Sequence, residues 1–175
     1  NLDFADEIIV VDSYSQDSTV EIAEAYQNVV VHKHKFENFT KQRNFALSKA
    51  NHEWILFLDA DERIPGVLKH EILETIQSKK TADAYYFYRK FMFKSRPLHF
   101  SGWQTDKNIR LFKKSKSTYT EGRLVHEVLE VNGKVTNLQH HLIHYSYENY
   151  ISYKKKMLSY ASLKAKELFL KGVEP

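Results

Sequence analysis

Residues 54–62 read Trp-Ile-Leu-Phe-Leu-Asp-Ala-Asp-Glu, an apolar run that stops abruptly at two carboxylates separated by one small residue. A continuous apolar run of this length is typical of a strand that is buried on both faces in a parallel sheet. Ligands of open α/β sheets bind at the carboxyl ends of such strands. The stretch therefore predicts a buried strand with a binding site at Asp59 and Asp61.

The Asp-Ala-Asp triplet by itself is open to two interpretations. Its carboxylates can place oxygens on Mg²⁺ or Mn²⁺, and such an ion would neutralise the phosphates of a bound nucleotide. Asp61 and Glu62 can equally belong to a solvated loop before a helix that opens near Pro65. The triplet alone does not decide between the two.

The segments before this strand alternate between strand and helix patterns. The predicted elements are a strand at 7–12, a helix from the capping box of Ser18 and Glu21 to Tyr26, a strand at 29–32 and a helix at 40–49. Together with the strand at 54–58 they predict a parallel, doubly wound, Rossmann-like α/β unit with right-handed crossovers.

After Glu62 the sequence no longer predicts a regular alternation of strands and helices. A helix is expected from Pro65 to Gln77 and an aromatic-rich strand at 84–88, whereas residues 89–120 are basic and irregular and suit a mobile loop on the acceptor side. Asn132-Gly133 is a type I′ turn signal and predicts a hairpin between 125–131 and 134–144.

Three motifs in order resemble a known family. Residues 10–19 look like V-V-D-x-x-S-x-D-x-T, residues 41–46 resemble a K/A-x-R-N-x-A helix, and residues 58–62 resemble a metal-binding D-x-D. These are motifs of the family 2 glycosyltransferases, which have the glycosyltransferase A fold. Residues 102–103, 110–112, 125–127 and 144–147 are most similar to bacterial members that build lipopolysaccharide core or related surface glycans.

The resemblance implies an inverting transfer of a sugar from a nucleoside diphosphate sugar, UDP-linked, to a saccharide or glycolipid acceptor in cell-envelope polysaccharide synthesis. It implies a mixed sheet and one domain over 1–175, with a nucleotide-binding half at 1–62, an acceptor-side half at 63–147 and a basic helix at 148–172. It also implies a further strand and helix before Phe4, whose lack would leave an unpaired edge beside the strand at 7–12 and weaken donor binding.

The resemblance assigns nucleotide-binding roles to side chains in all three motifs. Asp12 and Ser13 would contact the base, and Asp59 would lie near the ribose or the sugar. Lys41 and Arg43 are two residues apart on one helix, so they cannot both point the same way. Arg43 is favoured as the residue that faces the donor, against the alternative of a surface salt bridge.

Metal binding is assigned to Asp61, which would hold Mn²⁺ or Mg²⁺ against the leaving diphosphate. His144 could complete the metal shell, as a histidine after the acceptor segment does in some related transferases, or could be a hydrogen-bonded sheet residue. A dedicated zinc site at His140, His141 and His144 is not favoured, because no H-E-x-x-H pattern or cysteine accompanies them.

The acceptor hydroxyl needs a general base. By resemblance the base is Glu127, with Glu121 and Asp106 as reserves, and it predicts single displacement with inversion. Trp103 can offer an aromatic face to the apolar side of a sugar ring, or can pack in the core.

Composition sets the remaining limits. Hydrophobic residues make up 42% of the chain and cysteine is absent, so disulfides and thiolate catalysis are excluded. No apolar stretch approaches the roughly eighteen residues of a membrane span, which makes a cytoplasmic location the simplest interpretation. Residues 150–171 predict a basic amphipathic helix, which is either an ordinary packing helix with a solvated lysine face or a peripheral membrane contact.

Two other functional classes remain as alternatives. A nucleotidyltransferase would need a glycine-rich phosphate loop, and the chain has only five glycines and no G-x-G-x-x-G. A non-catalytic module would be a degenerate sugar-nucleotide binder or a nucleic-acid binder using residues 89–116. The intact acids argue against the first form, and the absence of any nucleic-acid motif argues against the second.

Overall fold

The computed structural model describes residues 2–79, 81–100, 105–120, 128–147, 149–170 and 172. Its first four elements are β1 (Ile8–Asp12), α1 (Thr19–Glu24), β2 (Val29–Lys33) and α2 (Phe39–Lys49). The strands β1 and β2 pair in parallel, from Ile8 opposite Val29 to Asp12 opposite Lys33, with α1 as the crossover. The predicted strand-helix-strand-helix order is therefore confirmed.

The start of α1 differs from the predicted capping box. Ser18 occupies the cap position but makes no side-chain hydrogen bond there. The carboxylate of Asp17 accepts the backbone N–H of Thr19 at 3.1 Å instead, so the first turn is stabilised from one residue earlier. The start of α2 is capped by Asn38, whose side chain accepts the N–H of Lys41 at 2.9 Å.

The second half of the chain builds a larger mixed sheet. The elements of this half of the chain are β3 (Trp54–Leu56), β4 (Glu62–Arg63), α3 (Gly66–Gln77), β5 (Ala84–Phe93), β6 (Arg96–Pro97), β7 (Lys107–Lys113), a 3₁₀ turn (Lys114–Lys116), β8 (Ser117–Tyr119), β9 (Leu129–Val131), β10 (Val135–Asn137), β11 (Leu142–Tyr147) and α4 (Tyr150–Leu170). The sheet runs in the order β3-β7-β5-β11-β4. The α/β class with a mixed sheet is confirmed.

The predicted parallel unit of three strands is wrong for β3. The strand is shorter than expected and lies antiparallel to β7, with Ile55 opposite Phe112, while β1 and β2 form a two-stranded sheet of their own. The segment predicted as an irregular loop at 89–120 contributes β7 and the end of β5, so that expectation is wrong over these strands. Leu111 and Phe112 of β7 are buried, one in each of two core clusters, despite the lysines of this strand.

The predicted hairpin at Asn132-Gly133 is also wrong. β9 pairs with β8, whereas β10 pairs in parallel with the start of β5. A Cβ at Gly133 would lie 2.3 Å from a carboxylate oxygen of Asp83, and that carboxylate accepts the N–H of Lys134 at 3.0 Å. The turn therefore directs the chain onto the edge of β5, where long-range pairing outweighs the local turn signal.

The hydrophobic core consists of two clusters, one around Phe87 and Leu142 with Leu68 and Ile72 of α3, and one around Phe112 with Leu47 of α2. Its largest fully buried side chains are Phe87, Phe112, Leu68, Ile72, Leu111 and Leu142. The apolar residues of β1 are only half-buried. Among the residues described, no helix is both long and apolar enough to cross a membrane.

Candidate functional site

The backbone after β3 is fixed from both sides before it reaches β4. Phe57 donates its N–H to the carbonyl of Arg110 at 2.8 Å, Glu62 donates to Asp59 at 3.0 Å, and Tyr145 donates to Asp61 at 2.8 Å. These hydrogen bonds hold the Asp-Ala-Asp triplet between β7 and β11. This places both carboxylates just beyond β3, as the sequence predicts, although the residues of that strand are half-buried and not fully buried as expected.

Both carboxylate oxygens of Asp59 contact arginines. Oδ1 lies 3.2 Å from Nη2 of Arg43, which comes from α2, and Oδ2 lies 2.5 Å from Nη2 of Arg110, which comes from β7. Burial raises the pKa of Asp59, but the charges of Arg110 and Arg43 outweigh it and leave the pKa below its ordinary value. Asp59 is therefore held ionised, with 40% of its side chain exposed.

Behind Asp59 lies the fully buried carboxylate of Glu62. Its Oε1 is 2.5 Å from Nη2 of Arg110, and its Oε2 accepts the backbone N–H of Asp59 at 2.9 Å. Burial raises the pKa of Glu62, although the charge of Arg110 opposes this. Burial lowers the pKa of Arg110, and the charges of Glu62 and Asp59 reverse that effect and raise it. Arg110 is thus a permanent cation between two acids.

The contacts continue to Asp106 through Arg89. Nη2 of Arg89 lies 2.5 Å from Oδ2 of Asp106, and Nη1 lies 3.9 Å from Oε1 of Glu62. Six side chains of alternating charge, here called the charge network, therefore connect β5, β7 and α2: Asp106, Arg89, Glu62, Arg110, Asp59 and Arg43.

Asp61 has a different environment, because its partner is a histidine. Oδ2 of Asp61 lies 3.1 Å from Nε2 of His144, which stands on β11 opposite Glu62 in the strand register. Burial raises the pKa of Asp61, but the hydrogen bond and charge of His144 outweigh it and lower the pKa. Nδ1 of His144 is buried without a hydrogen-bond partner in the described part of the chain.

The Asp61 and His144 pair fits a divalent cation that is shared with a ligand. Mn²⁺ accepts carboxylate and imidazole ligands, and Mg²⁺ in phosphate sites takes one or two carboxylates with the remaining positions filled by phosphate and water. Within the described ranges no group of three or more His, Asp or Glu side chains could hold a metal alone. The pair would therefore supply two ligands, and the other positions would fall to phosphate oxygens and water.

The nucleotide-binding candidates near β1 lie on a tight turn. The carboxylate of Asp12 accepts the backbone N–H groups of Tyr14 at 2.9 Å and of Ser15 at 3.1 Å, and the hydroxyl of Ser13 accepts from Gln42 at 3.1 Å. These bonds fix the turn after β1. Contact of Asp12 and Ser13 with a base stays a prediction.

The two basic candidates on α2 point in different directions. Arg43 reaches Asp59 and also lies over the rings of Phe57 and Tyr119, at 5.4 and 5.7 Å from their centroids. Nζ of Lys41 lies 2.5 Å from the carboxylate of Glu37. The structure therefore brings Arg43, and not Lys41, to the acids at the end of β3.

Only one of the catalytic and acceptor-binding candidates lies within the described residues. Glu121, Glu127 and Trp103 lie outside the described residues, so their roles stay predictions. Asp106 is described, and it joins the network through Arg89.

The three clustered histidines have separate partners. Nδ1 of His140 lies 2.9 Å from Glu71, the ring of His141 lies 5.7 Å from that of Tyr88, and His144 contacts Asp61.

Sequence reasoning missed the roles of Arg110, Glu62 and Arg89. Arg110 did carry a signal, because it is the one charged residue in the run Ile-Arg-Leu-Phe at 109–112. A charged side chain in a buried strand requires a partner. The identity of that partner, 48 residues earlier at Glu62, has no signal in the local sequence.

The chain is similar to known proteins of one family. Residues 2–130 match the family described as glycosyl transferase family 2. An uncharacterized glycosyltransferase of Rickettsia bellii (strain RML369-C) is 32% identical over 184 aligned positions, covering 98% of this chain and 61% of that protein. An uncharacterized glycosyltransferase of Rickettsia felis (strain ATCC VR-1525 / URRWXCal2) is 33% identical over 180 positions, covering 95% of this chain and 62% of that protein.

A more distant relative has a more specific name. The lipopolysaccharide core biosynthesis glycosyltransferase LpsC of Rhizobium meliloti (strain 1021) is 24% identical over 135 positions, covering 75% of this chain and 50% of that protein. The chain spans about three fifths of the length of the two rickettsial relatives. From the match over residues 2–130 and the similarity along nearly the whole chain, we conclude that the chain belongs to glycosyl transferase family 2.

Proposed function

We propose that this chain catalyses an inverting transfer of a sugar from a nucleoside diphosphate sugar, with UDP as the nucleotide, to a saccharide or lipid-linked acceptor. The observation that carries the proposal is the pair of acids at the end of β3. Asp59 is fixed by Arg43 and Arg110, while Asp61 lies beside His144 with 39% of its side chain exposed. Family membership supports the same reaction class.

The two acids suit different parts of the donor. Asp59 already has an arginine on each oxygen, so it is suited to accept hydrogen bonds from ribose or sugar hydroxyls. Asp61 and His144 would hold Mn²⁺ or Mg²⁺, which when bound neutralises the charge that grows on the leaving diphosphate. In this assignment the half at 1–62 binds the nucleotide and the half at 63–147 receives the acceptor.

The transfer itself needs one proton acceptor. As the acceptor oxygen forms its bond to the anomeric carbon, the bond from that carbon to the diphosphate oxygen breaks, and a carboxylate takes the hydroxyl proton. We assign that carboxylate to Glu127, with Glu121 and Asp106 as reserves. A single displacement of this kind inverts the anomeric configuration.

The acceptor class is proposed from the relatives. LpsC is named for lipopolysaccharide core biosynthesis, which supports an acceptor in a cell-envelope polysaccharide. Because a nucleotide sugar is a cytoplasmic metabolite, we place the reaction on the cytoplasmic side of the membrane.

Titration calorimetry with UDP, in Mn²⁺ and in chelator, tests the donor site. The wild-type chain should bind UDP more tightly in Mn²⁺, and Asp61→Asn should abolish that difference without unfolding the chain. Asp3→Asn is a matched control, because Asp3 lies in a surface ion pair with Lys69. Equal UDP affinity with and without metal in the wild-type chain would contradict the proposal.

Single-turnover assays test the general base. Glu127→Gln should leave UDP binding intact and slow transfer by a factor on the order of 10² or more. Glu121→Gln and Asp106→Asn serve as comparisons. Unchanged turnover in Glu127→Gln, with a collapse in Glu121→Gln, would move the role to Glu121.

A further inference from the structure

The last helix, α4, has one side that contacts the rest of the molecule. The ring of Tyr153 packs edge-on against that of Tyr147 at 5.0 Å, and Nζ of Lys156 lies 5.5 Å from the centroid of the same ring. Met157, next in sequence, is half-buried. These residues define the side of α4 that faces the protein.

The opposite side of α4 is apolar and exposed. Ile151, Leu158 and Phe169 have 79%, 59% and 80% of their surface accessible. At 3.6 residues per turn, positions seven and eighteen residues beyond Ile151 return to within about 20° of it. The three side chains therefore form one line, here called the apolar stripe, roughly 27 Å long at 1.5 Å per residue. Ser162 and Ala165, which lie along it, are exposed as well.

Positive charge borders the apolar stripe. Lys154 and Lys155 are exposed and fall on either side of it. Over residues 150–171 the sequence has six lysines, and Glu167 is the single acid. An exposed apolar face bordered by lysines is complementary to a surface that is apolar within and negatively charged outside.

The exposure of these side chains favours one of the two interpretations of this helix. An ordinary packing helix with a solvated lysine face would bury its large apolar residues against the protein. Here Tyr153 and Met157 provide that packing, and the apolar stripe lies on the other side. We propose that α4 lies on the surface of an anionic phospholipid membrane, with Ile151, Leu158 and Phe169 entering the boundary between headgroups and acyl chains.

Vesicle co-sedimentation of the whole chain tests this proposal independently of UDP binding. The wild-type chain should sediment with vesicles of phosphatidylcholine and phosphatidylglycerol, less with phosphatidylcholine alone, and less as salt is raised. The triple change Ile151→Glu, Leu158→Glu and Phe169→Glu should lower partitioning by about tenfold or more. Lys154→Glu with Lys155→Glu should remove most of the preference for phosphatidylglycerol, at about fivefold per lysine.

The matched control changes exposed apolar residues elsewhere. Ile22→Glu with Val67→Glu alters side chains that are 62% and 59% exposed on other helices, and it should leave partitioning unchanged. Circular dichroism and UDP titration show whether each variant is folded.

Three results would overturn the proposal. The first is a wild-type chain that stays in solution with anionic vesicles. The second is a folded triple variant that still sediments with them. The third is a vesicle-independent dimer in sedimentation velocity that the triple change abolishes, because the stripe would then be covered by a second copy.

Discussion

Two sheets of this protein, that of β1 with β2 and that centred on β5, differ in how deeply they bury their strands. In the sheet of β1 and β2 the apolar residues are half-buried or exposed, and Asp12 is the one fully buried strand residue. In the sheet centred on β5, whole side chains such as Phe87 and Leu142 are removed from solvent. The larger sheet therefore contributes most of the stability, and the smaller one carries turns and helix ends that are more exposed.

The charge network lies where these two regions meet. Arg110 and Glu62 belong to the larger sheet, and Arg43 comes from α2 of the smaller region. Asn44, next to Arg43, donates to the carbonyl of Tyr119 at 3.0 Å. Asp59 therefore connects the two regions. Mutations in the larger sheet should mainly lower stability, and mutations in the smaller region should mainly lower ligand binding.

The largest expected effect lies in the core of the larger sheet. Phe87→Ala removes a fully buried ring, so it should lower the free energy of unfolding by about 3–5 kcal/mol. Phe36→Ala, in the smaller region, alters a ring that is 45% exposed and should cost about 1 kcal/mol or less. Urea denaturation measures both, and equal losses would contradict the contrast between the regions.

The next effect concerns the buried charges. Arg110→Met leaves Glu62 with only the more distant cation of Arg89, at 3.9 Å, which should cost about 3 kcal/mol at neutral pH. Burial already raises the pKa of Glu62. Because the pKa of Glu62 is raised in the folded chain, its protonated form favours folding and its ionised form opposes it. The loss of stability in Arg110→Met should therefore shrink toward acidic pH.

A double variant provides the control for this prediction. Glu62→Gln combined with Arg110→Met should recover part of the loss, because no buried carboxylate then lacks a cation. Denaturation curves over a pH series measure the recovery. A double variant less stable than Arg110→Met at neutral pH would show that charge is not the cause.

A smaller effect is expected at the contact between α3 and the segment before β11. The carboxylate of Glu71 accepts the N–H groups of Gln139 and His140 at 2.6 and 2.9 Å. Burial raises the pKa of Glu71, and these bonds outweigh it and lower the pKa. Glu71→Gln should therefore cost about 1–2 kcal/mol at neutral pH.

The loss in Glu71→Gln should also shrink toward acidic pH, although the pKa of Glu71 is lowered whereas that of Glu62 is raised. Because the pKa of Glu71 is lower in the folded chain than in the unfolded chain, its ionised carboxylate stabilises the fold above the unfolded pKa. This stabilisation is lost as the pH falls through the folded pKa, so the free energies of unfolding of wild type and Glu71→Gln should converge in acid. Glu74→Gln changes an exposed carboxylate on the same helix and is the matched control. A loss that persists unchanged at low pH would contradict the role of the ionised carboxylate.

The smallest effect on stability is expected at the junction of the two regions. Arg43→Met removes one of two cations from the partly exposed Asp59, so it should cost about 1 kcal/mol or less. Its effect on UDP affinity should be larger than its effect on stability. Lys41→Met, which alters a residue of the same helix paired with Glu37, is the control for both measurements.

The elements that could be predicted from sequence are those whose signal is local. The apolar runs of β1 and β3 and the helix at α2 were identifiable because a buried strand or helix repeats its pattern over several residues. Asp59 and Asp61 could be placed at a strand end for the same reason.

The elements that could not be predicted depend on distant partners. β7 carries Lys107, Arg110 and Lys113, and its place in the sheet becomes clear only with Asp83, Asp59 and Glu62 as partners. Asn132-Gly133 carries a local hairpin signal, but pairing with the edge of β5 overrides it.

Asp61 and His144 are 83 residues apart in the sequence, and Arg110 is 51 residues from Asp59. Contacts between such distant residues form late in folding, because the loops between them must close first. During synthesis Asp61 and Glu62 leave the ribosome long before β7 and β11, so their charges remain hydrated until the larger sheet closes. The contact between Asp61 and His144 should therefore form only after β11 has been synthesised, and a translational pause before residue 144 should leave the carboxylate of Asp61 hydrated.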